Sequence, residues 1–90
     1  MSTENVDKIT PAQARSARAL LDMTQPELAE RAGLGLSTVV DFEKSRRRVS
    51  AEAISAIRRA LVAAGVVFID ENGAGAGVRL GKPGRSTRQL

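Results

Sequence analysis

Apolar residues return at helical spacing in four stretches of this chain. In the first, from Pro11 to about Leu21, Ala14, Ala17, Leu20 and Leu21 share one face, and Arg15, Arg18 and Asp22 point away from it. The second runs from about Gln25 to Ala32, with Leu28, Ala29 and Ala32 at helical spacing. In the third, over about residues 36–44, Val39 and Phe42 face inward. Ser37, Thr38, Val40, Asp41 and Glu43 lie on the outer arc, with Leu36 at its N-terminal edge, where it can turn either way. The fourth is a longer stripe, Ala53, Ile54, Ile57, Ala60, Leu61 and Ala64, ending at Gly65. The pattern then changes. Val66-Val67-Phe68-Ile69 has the β-branched and aromatic composition of a buried strand, residues 70–77 are rich in turn formers, and Val78-Arg79-Leu80 makes a short return strand.

Start and stop signals agree with these periods. Thr10 caps the first helix, Pro11 takes the position where its missing N–H is harmless, and Gln13 completes a capping box. Thr24 and Glu27 form a second capping box, Pro26 is tolerated in the first turn, and Met23 can staple onto Leu28. Gly33 suits a left-handed helix end. Ser50 caps the fourth helix, and Glu52 complements its dipole. The expected fold is mainly α: a compact four-helix bundle over residues 10–64, followed by a β-hairpin or strand over 65–80. Residues 1–9 read as a flexible N-terminal arm and 81–90 as a disordered basic tail.

Residues 24–43 are the centre of this arrangement. A helix, a short turn containing glycine and a second helix make a helix-turn-helix, whose second helix enters the major groove of DNA. Composition narrows the alternatives. The 90 residues carry no Cys and no His, and no Tyr or Trp; Phe42 and Phe68 are the only aromatics. Disulfides and thiolate metal sites are excluded, the commonest general base is missing, and aromatic stacking on single strands has little to work with. No metal or cofactor is expected. Gly73, Gly75 and Gly77 lack the following helix and Lys-Ser/Thr of a P-loop, so they read as a hairpin tip. The net charge of +4 favours a polyanionic partner. No apolar run approaches the roughly 20 residues of a membrane span, and the N-terminus has no signal-peptide core. A soluble protein of the bacterial cytoplasm, associated with the nucleoid when on DNA, is the expectation.

The run TQPELAERAGLGLSTVVDFEKSRRRVS resembles the Cro/repressor-type (XRE) helix-turn-helix, the lambda-repressor-like fold. The likeness rests on Thr24-Gln25, Leu28-Ala29, Gly33, Ser37-Thr38-Val39, Glu43 and the basic connector, and spans roughly residues 10–64. It implies a division of roles. Leu36, Ser37, Val40 and Asp41 occupy positions that face base edges. Gln25, Thr38, Lys44, Arg46, Arg47 and Arg48 occupy positions that meet phosphates. Glu43 matches an acidic residue that is usually structural, with Arg18 as its candidate partner. Two departures stand out. Where many relatives have Glu-x-Gly, this chain has Glu43-Lys44-Ser45, and the base-facing set lacks the long side chains that grip purines bidentately. Leu36 and Val40 suit thymine methyls, Asp41 suits cytosine N4, and DNA shape can supply further specificity.

The implied protein is a sequence-specific, double-stranded-DNA-binding transcriptional regulator, a repressor more often than an activator, acting as a homodimer. Val66 and Phe68 are the candidate dimer contacts, although the 66–69 strand reads equally as core. Arg58 and Arg59 read as solvated surface. The principal rival is a protein-interaction module such as an antitoxin, binding a protein partner and regulating itself through the same domain. An enzyme is disfavoured by the missing His, Cys and Tyr and the absence of convergent carboxylates.

Overall fold

Both predicted capping boxes are formed in the computed structural model, which describes residues 8–81. In the first, the Gln13 amide N–H donates to Thr10 Oγ1 at 3.0 Å, and the Thr10 N–H donates to Gln13 Oε1 at 2.8 Å. These bonds start α1 (Pro11–Leu21). Thr24 and Glu27 make the same exchange at the start of α2 (Gln25–Ala32). The third helix, α3 (Leu36–Glu43), follows Gly35, and no side chain caps it, Ser37 included. Ser50 Oγ accepts from the Ala53 N–H to start α4 (Ala51–Ala64). The strands β1 (Val66–Ile69) and β2 (Gly77–Leu80) close the fold as one antiparallel hairpin. The predicted arm and tail lie mostly outside the described residues. Of the arm's last two positions, Ile9 is buried against the helical core, so that end is anchored rather than loose.

The first three helices stop in the same way. Each ends at a left-handed residue: Asp22 at φ 56° and Gly33 at φ 71°, each directly after its helix, and Ser45 at φ 56°, one position beyond Lys44. Two N–H groups then fold back onto the last turn. Met23 donates to the Arg18 carbonyl, Leu34 to Ala29 and Arg46 to Asp41, each at 2.9 Å, and the left-handed residue donates to the next carbonyl along, Ala19, Glu30 and Phe42 respectively. This is the Schellman ending, and glycine is its usual occupant. Only Gly33 fits the chemistry without strain. The absent glycine of the Glu-x-Gly pattern therefore does not alter the turn; Ser45 adopts the left-handed state itself, at a cost of about 1 kcal/mol. Ser45→Gly is expected to raise the melting temperature by roughly 4–8 °C, read by far-ultraviolet circular dichroism. An unchanged or lower transition would show that the turn carries no strain.

The core is aliphatic. Leu28, Val39, Ile57 and Leu61 are fully enclosed, with Ala14, Ala17, Ala29, Phe42 and Met23 around them. Met23 and Leu28 both join this cluster, as the staple requires. Leu20 does not. It is 43% exposed, because α1 buries the face carrying Ala14 and Ala17 and turns Leu20 toward the outside.

The hairpin pairs Val66 with Leu80, Val67 with Arg79, Phe68 with Val78 and Ile69 with Gly77. A two-stranded hairpin is marginal in water. Here it packs on α1 and α4 and is pinned by Gln13, a buried polar side chain. Gln13 Nε2 donates to the Gly77 carbonyl at 2.8 Å and the Ile69 carbonyl at 3.3 Å, the last pair of the ladder. One residue thus caps α1 and ties the hairpin to it. Only its capping role shows in the local sequence, because the carbonyls it reaches lie 56 and 64 residues away.

Candidate nucleic-acid interface

The inner face of α3 is held by hydrocarbon and by one buried carboxylate. Val39 and Phe42 enter the core. Glu43, expected on the outer arc by its helical angle, is instead 1% exposed. Arg18 makes a two-pronged pair with it, Nε to Oε2 at 2.8 Å and Nη2 to Oε1 at 2.7 Å. Arg18 consequently does not point away from the bundle; its third nitrogen donates to the Met23 carbonyl at 3.1 Å. Gln25 Nε2 also donates to Glu43 Oε1, at 3.0 Å, and Arg15 donates to the Glu43 backbone carbonyl. A buried charge needs this degree of satisfaction. The cluster joins α1, α2 and α3 at one point and fixes the angle at which α3 leaves the bundle.

The outer face of α3 is left to solvent. Leu36, evenly poised between core and surface in the sequence, is 46% exposed. Ser37 is exposed; Thr38, Val40 and Asp41 are half-buried. Lys44, Arg46, Arg47 and Arg48 are all exposed beyond the end of the helix. They are not on a loose tether: the Arg46 N–H is bonded back to α3 at the Asp41 carbonyl, and Val49 is buried in the core. Arg47 Nε reaches Asp41 Oδ2 at 2.8 Å. Gln25 stands at the start of α2 with its amide on Glu43. The expected base-facing residues thus lie on α3, and the expected phosphate-facing ones on α3, just beyond its end and at the start of α2. At the start of α2, the Glu27 carboxyl is held below its ordinary pKa, first by the backbone N–H of Thr24, then by its hydroxyl, with Arg31 adding attraction. It stays ionised there and complements the helix dipole.

The candidate dimer residues fall elsewhere, and one is misassigned. Val66 is 2% exposed and belongs to the core of its own chain. Phe68 is half-buried, with the Arg58 guanidinium 5.5 Å from its ring centre. Arg58 is thus not plain solvated surface, whereas Arg59 is exposed and bonds Ser55 along its own helix. Val67 and Ile69 are the outward apolar residues on the opposite side of the pleat; Leu80, paired with Val66 and so on its side, is exposed at the end of the ladder, and Val62 is exposed on α4. Strand alternation could have found this split. Once Val66, next to the Gly65 turn, is directed inward, Val67 and Ile69 must face out.

A family model described as helix-turn-helix matches residues 15–61. The chain belongs to this family, the Cro/C1-type (XRE) helix-turn-helix DNA-binding regulators of transcription. Among curated proteins no significant sequence match is found. The family is typically non-enzymatic, and no helix among the described residues is long and apolar enough to cross a membrane.

Proposed function

We propose that the protein is a sequence-specific repressor that binds as a dimer, with α3 of each subunit in the major groove. The observation that supports this most is the two-sided character of α3. Val39, Phe42 and Glu43 bolt one side into the bundle, while Leu36, Ser37, Val40 and Asp41 face outward beside a fixed group of cations. Leu36 and Val40 offer contact to thymine methyls, and Ser37 offers a hydroxyl to either purine or pyrimidine edges. Lys44, Arg46 and Arg48 meet phosphates at the helix end, with Thr38 on its flank. Gln25 meets another phosphate from the start of α2, keeping one amide N–H on Glu43 and presenting the second outward.

The dimer contact is assigned to α4 and the hairpin: Val67 and Ile69 offer one side of the pleat, and Leu80 with the edge of Phe68 the other, with Val62 exposed on α4. The hairpin residues follow the matched family region, and Val62 lies in the last turn of α4, one residue beyond it. The same exposed residues also suit a protein partner, which keeps the antitoxin-like reading as the alternative. DNA-affinity sequencing across genomic fragments with the purified full chain tests both parts. A two-fold-symmetric motif, with half-sites about one helical turn apart, is the expected outcome. No enriched fragment at low salt would remove sequence-specific binding; a single unrepeated half-site would remove the dimer. Placement of the motif over promoter elements would support repression.

A further inference from the structure

The four outward positions of α3 lack a side chain that grips a base through two hydrogen bonds, and one of them is an acid. A bare carboxylate on a surface entering a polyanionic groove is repelled by the phosphates. The structure resolves this. Asp41 Oδ2 accepts from Arg47 Nε at 2.8 Å, and the two partners are unequally placed: the Asp41 side chain is 21% exposed and the Arg47 side chain 53%. The outermost group of the pair is therefore a donor, not an acceptor. Arg47 Nη1 also donates to the Arg48 carbonyl at 3.3 Å, a second restraint on the same planar group. Nε and one Nη1 hydrogen are thereby engaged. The other hydrogens, on Nη1 and Nη2, form the fork that matches O6 and N7 of guanine.

The backbone makes this arrangement possible. Ser45 in the left-handed state reverses the chain, Arg46 bonds to the Asp41 carbonyl, and the buried Val49 returns the loop to the core. Arg47 is carried back over the last turn of the helix that Asp41 belongs to. Ser37, one turn before Asp41, lies on the same side of α3.

We propose that Asp41 and Arg47 act as one base-reading unit, in which Asp41 is a positioning residue and Arg47, unlike its neighbours Arg46 and Arg48, takes a guanine in the major groove. The proposal rests on the reading that α3 enters that groove. A phosphate contact gains nothing from a carboxylate beside the cation, which weakens its pull on the backbone. Bidentate base reading does gain, because it depends on the plane and direction of the guanidinium. The unit also gives α3 the long donor that Leu36, Ser37, Val40 and Asp41 do not supply alone.

The test is selection from a randomised double-stranded DNA library by the full chain and by Asp41→Ala, Arg47→Ala, Arg47→Lys and the Asp41→Ala/Arg47→Ala double variant. The wild type should favour a G·C pair at one position per half-site by roughly ten- to a hundredfold. Asp41→Ala and Arg47→Ala should both lose that preference at the same base pair, and the double variant should lose no more than either. Arg47→Lys keeps the charge without the fork, so it should retain low-salt affinity and salt slope yet lose the preference. The proposal is overturned if Arg47→Lys keeps the preference, if Asp41→Ala and Arg47→Ala alter different base pairs, or if their losses add. A wild-type protein that enriches no sequence removes the groove reading itself, an outcome distinct from enrichment without this coupling.

Discussion

Replacing Arg18 by methionine should cost about 3 kcal/mol of folding stability, because it leaves the Glu43 carboxylate buried with its principal partner gone. Glu43 is 1% exposed and Arg18 19%, so the carboxylate is the member that cannot recover water in the folded state. Gln25 and the backbone cannot substitute for a two-pronged guanidinium. Against a typical margin of about 5–15 kcal/mol, the loss is a substantial fraction of the whole. Urea denaturation followed by circular dichroism reads it directly. The Arg18→Met/Glu43→Met double variant should be more stable than Arg18→Met alone, since removing both charges removes the desolvation cost that a single replacement exposes. A single variant within about 0.5 kcal/mol of the parent, the range of ordinary surface changes, would mean that solvent reaches Glu43. The consequence for DNA binding is also specific. The cluster sets the departure of α3 from the bundle, so the double variant should fold yet bind DNA less tightly than the parent.

Removing Lys44, Arg46 and Arg48 together should act in the opposite way, on binding and not on folding. All three are exposed beyond α3, where substitutions shift stability by no more than about 0.5 kcal/mol. Each phosphate contact contributes about 0.9 to the slope of log affinity against log salt. The triple alanine variant should therefore show a slope shallower by roughly 2–3, with affinity down by about two to three orders of magnitude at low salt. The loss should be similar on every DNA sequence, since backbone contacts position the protein without reading bases. Fluorescence anisotropy titrations on two unrelated duplexes, repeated across salt concentrations, provide the measurement. An unchanged slope would place these cations away from the backbone. A sequence-dependent loss would place at least one of them on a base.

Much of the fold was legible because its signals are local. Thr10 and Gln13, or Thr24 and Glu27, are three residues apart, and the helix starts they make depend on nothing distant. Spacing of apolar residues located all four helices, and composition located both strands. The predicted end of the third helix at residue 44 differs from the observed Glu43 by one position, Lys44 being its cap. Helical angle failed at Glu43 and Leu20. It gives the direction of a side chain around its own axis, but not which neighbouring helix waits there. The buried face of α3 is wider than hydrophobicity alone marks, because α1 brings an arginine to meet an acid.

The proposed surface for DNA was similarly half visible. Residues 36–48 show their polar and basic side chains in chain order, and the family match covers the helix-turn-helix that contains them. The chain order did not reveal that Asp41 and Arg47 pair, since it shows two charges six residues apart across a helix end and not the left-handed Ser45 that folds them together. Nor did composition separate Val66 from Val67. Both are strand residues of the same type, and only packing on α1 and α4 decides which side of the pleat is covered.

By itself the sequence determined the number and kind of elements, their caps, and the helix-turn-helix with its basic flank. These follow from forces acting within a turn or two of the chain. The family resemblance already paired Glu43 with Arg18, as the structure bears out, but the tertiary structure decided how these and other polar side chains serve as fasteners. Arg18 meets Glu43 across 25 positions and Gln13 meets Gly77 across 64. Such partners are chosen by proximity in the folded bundle, where burial makes an unsatisfied charge or carbonyl costly.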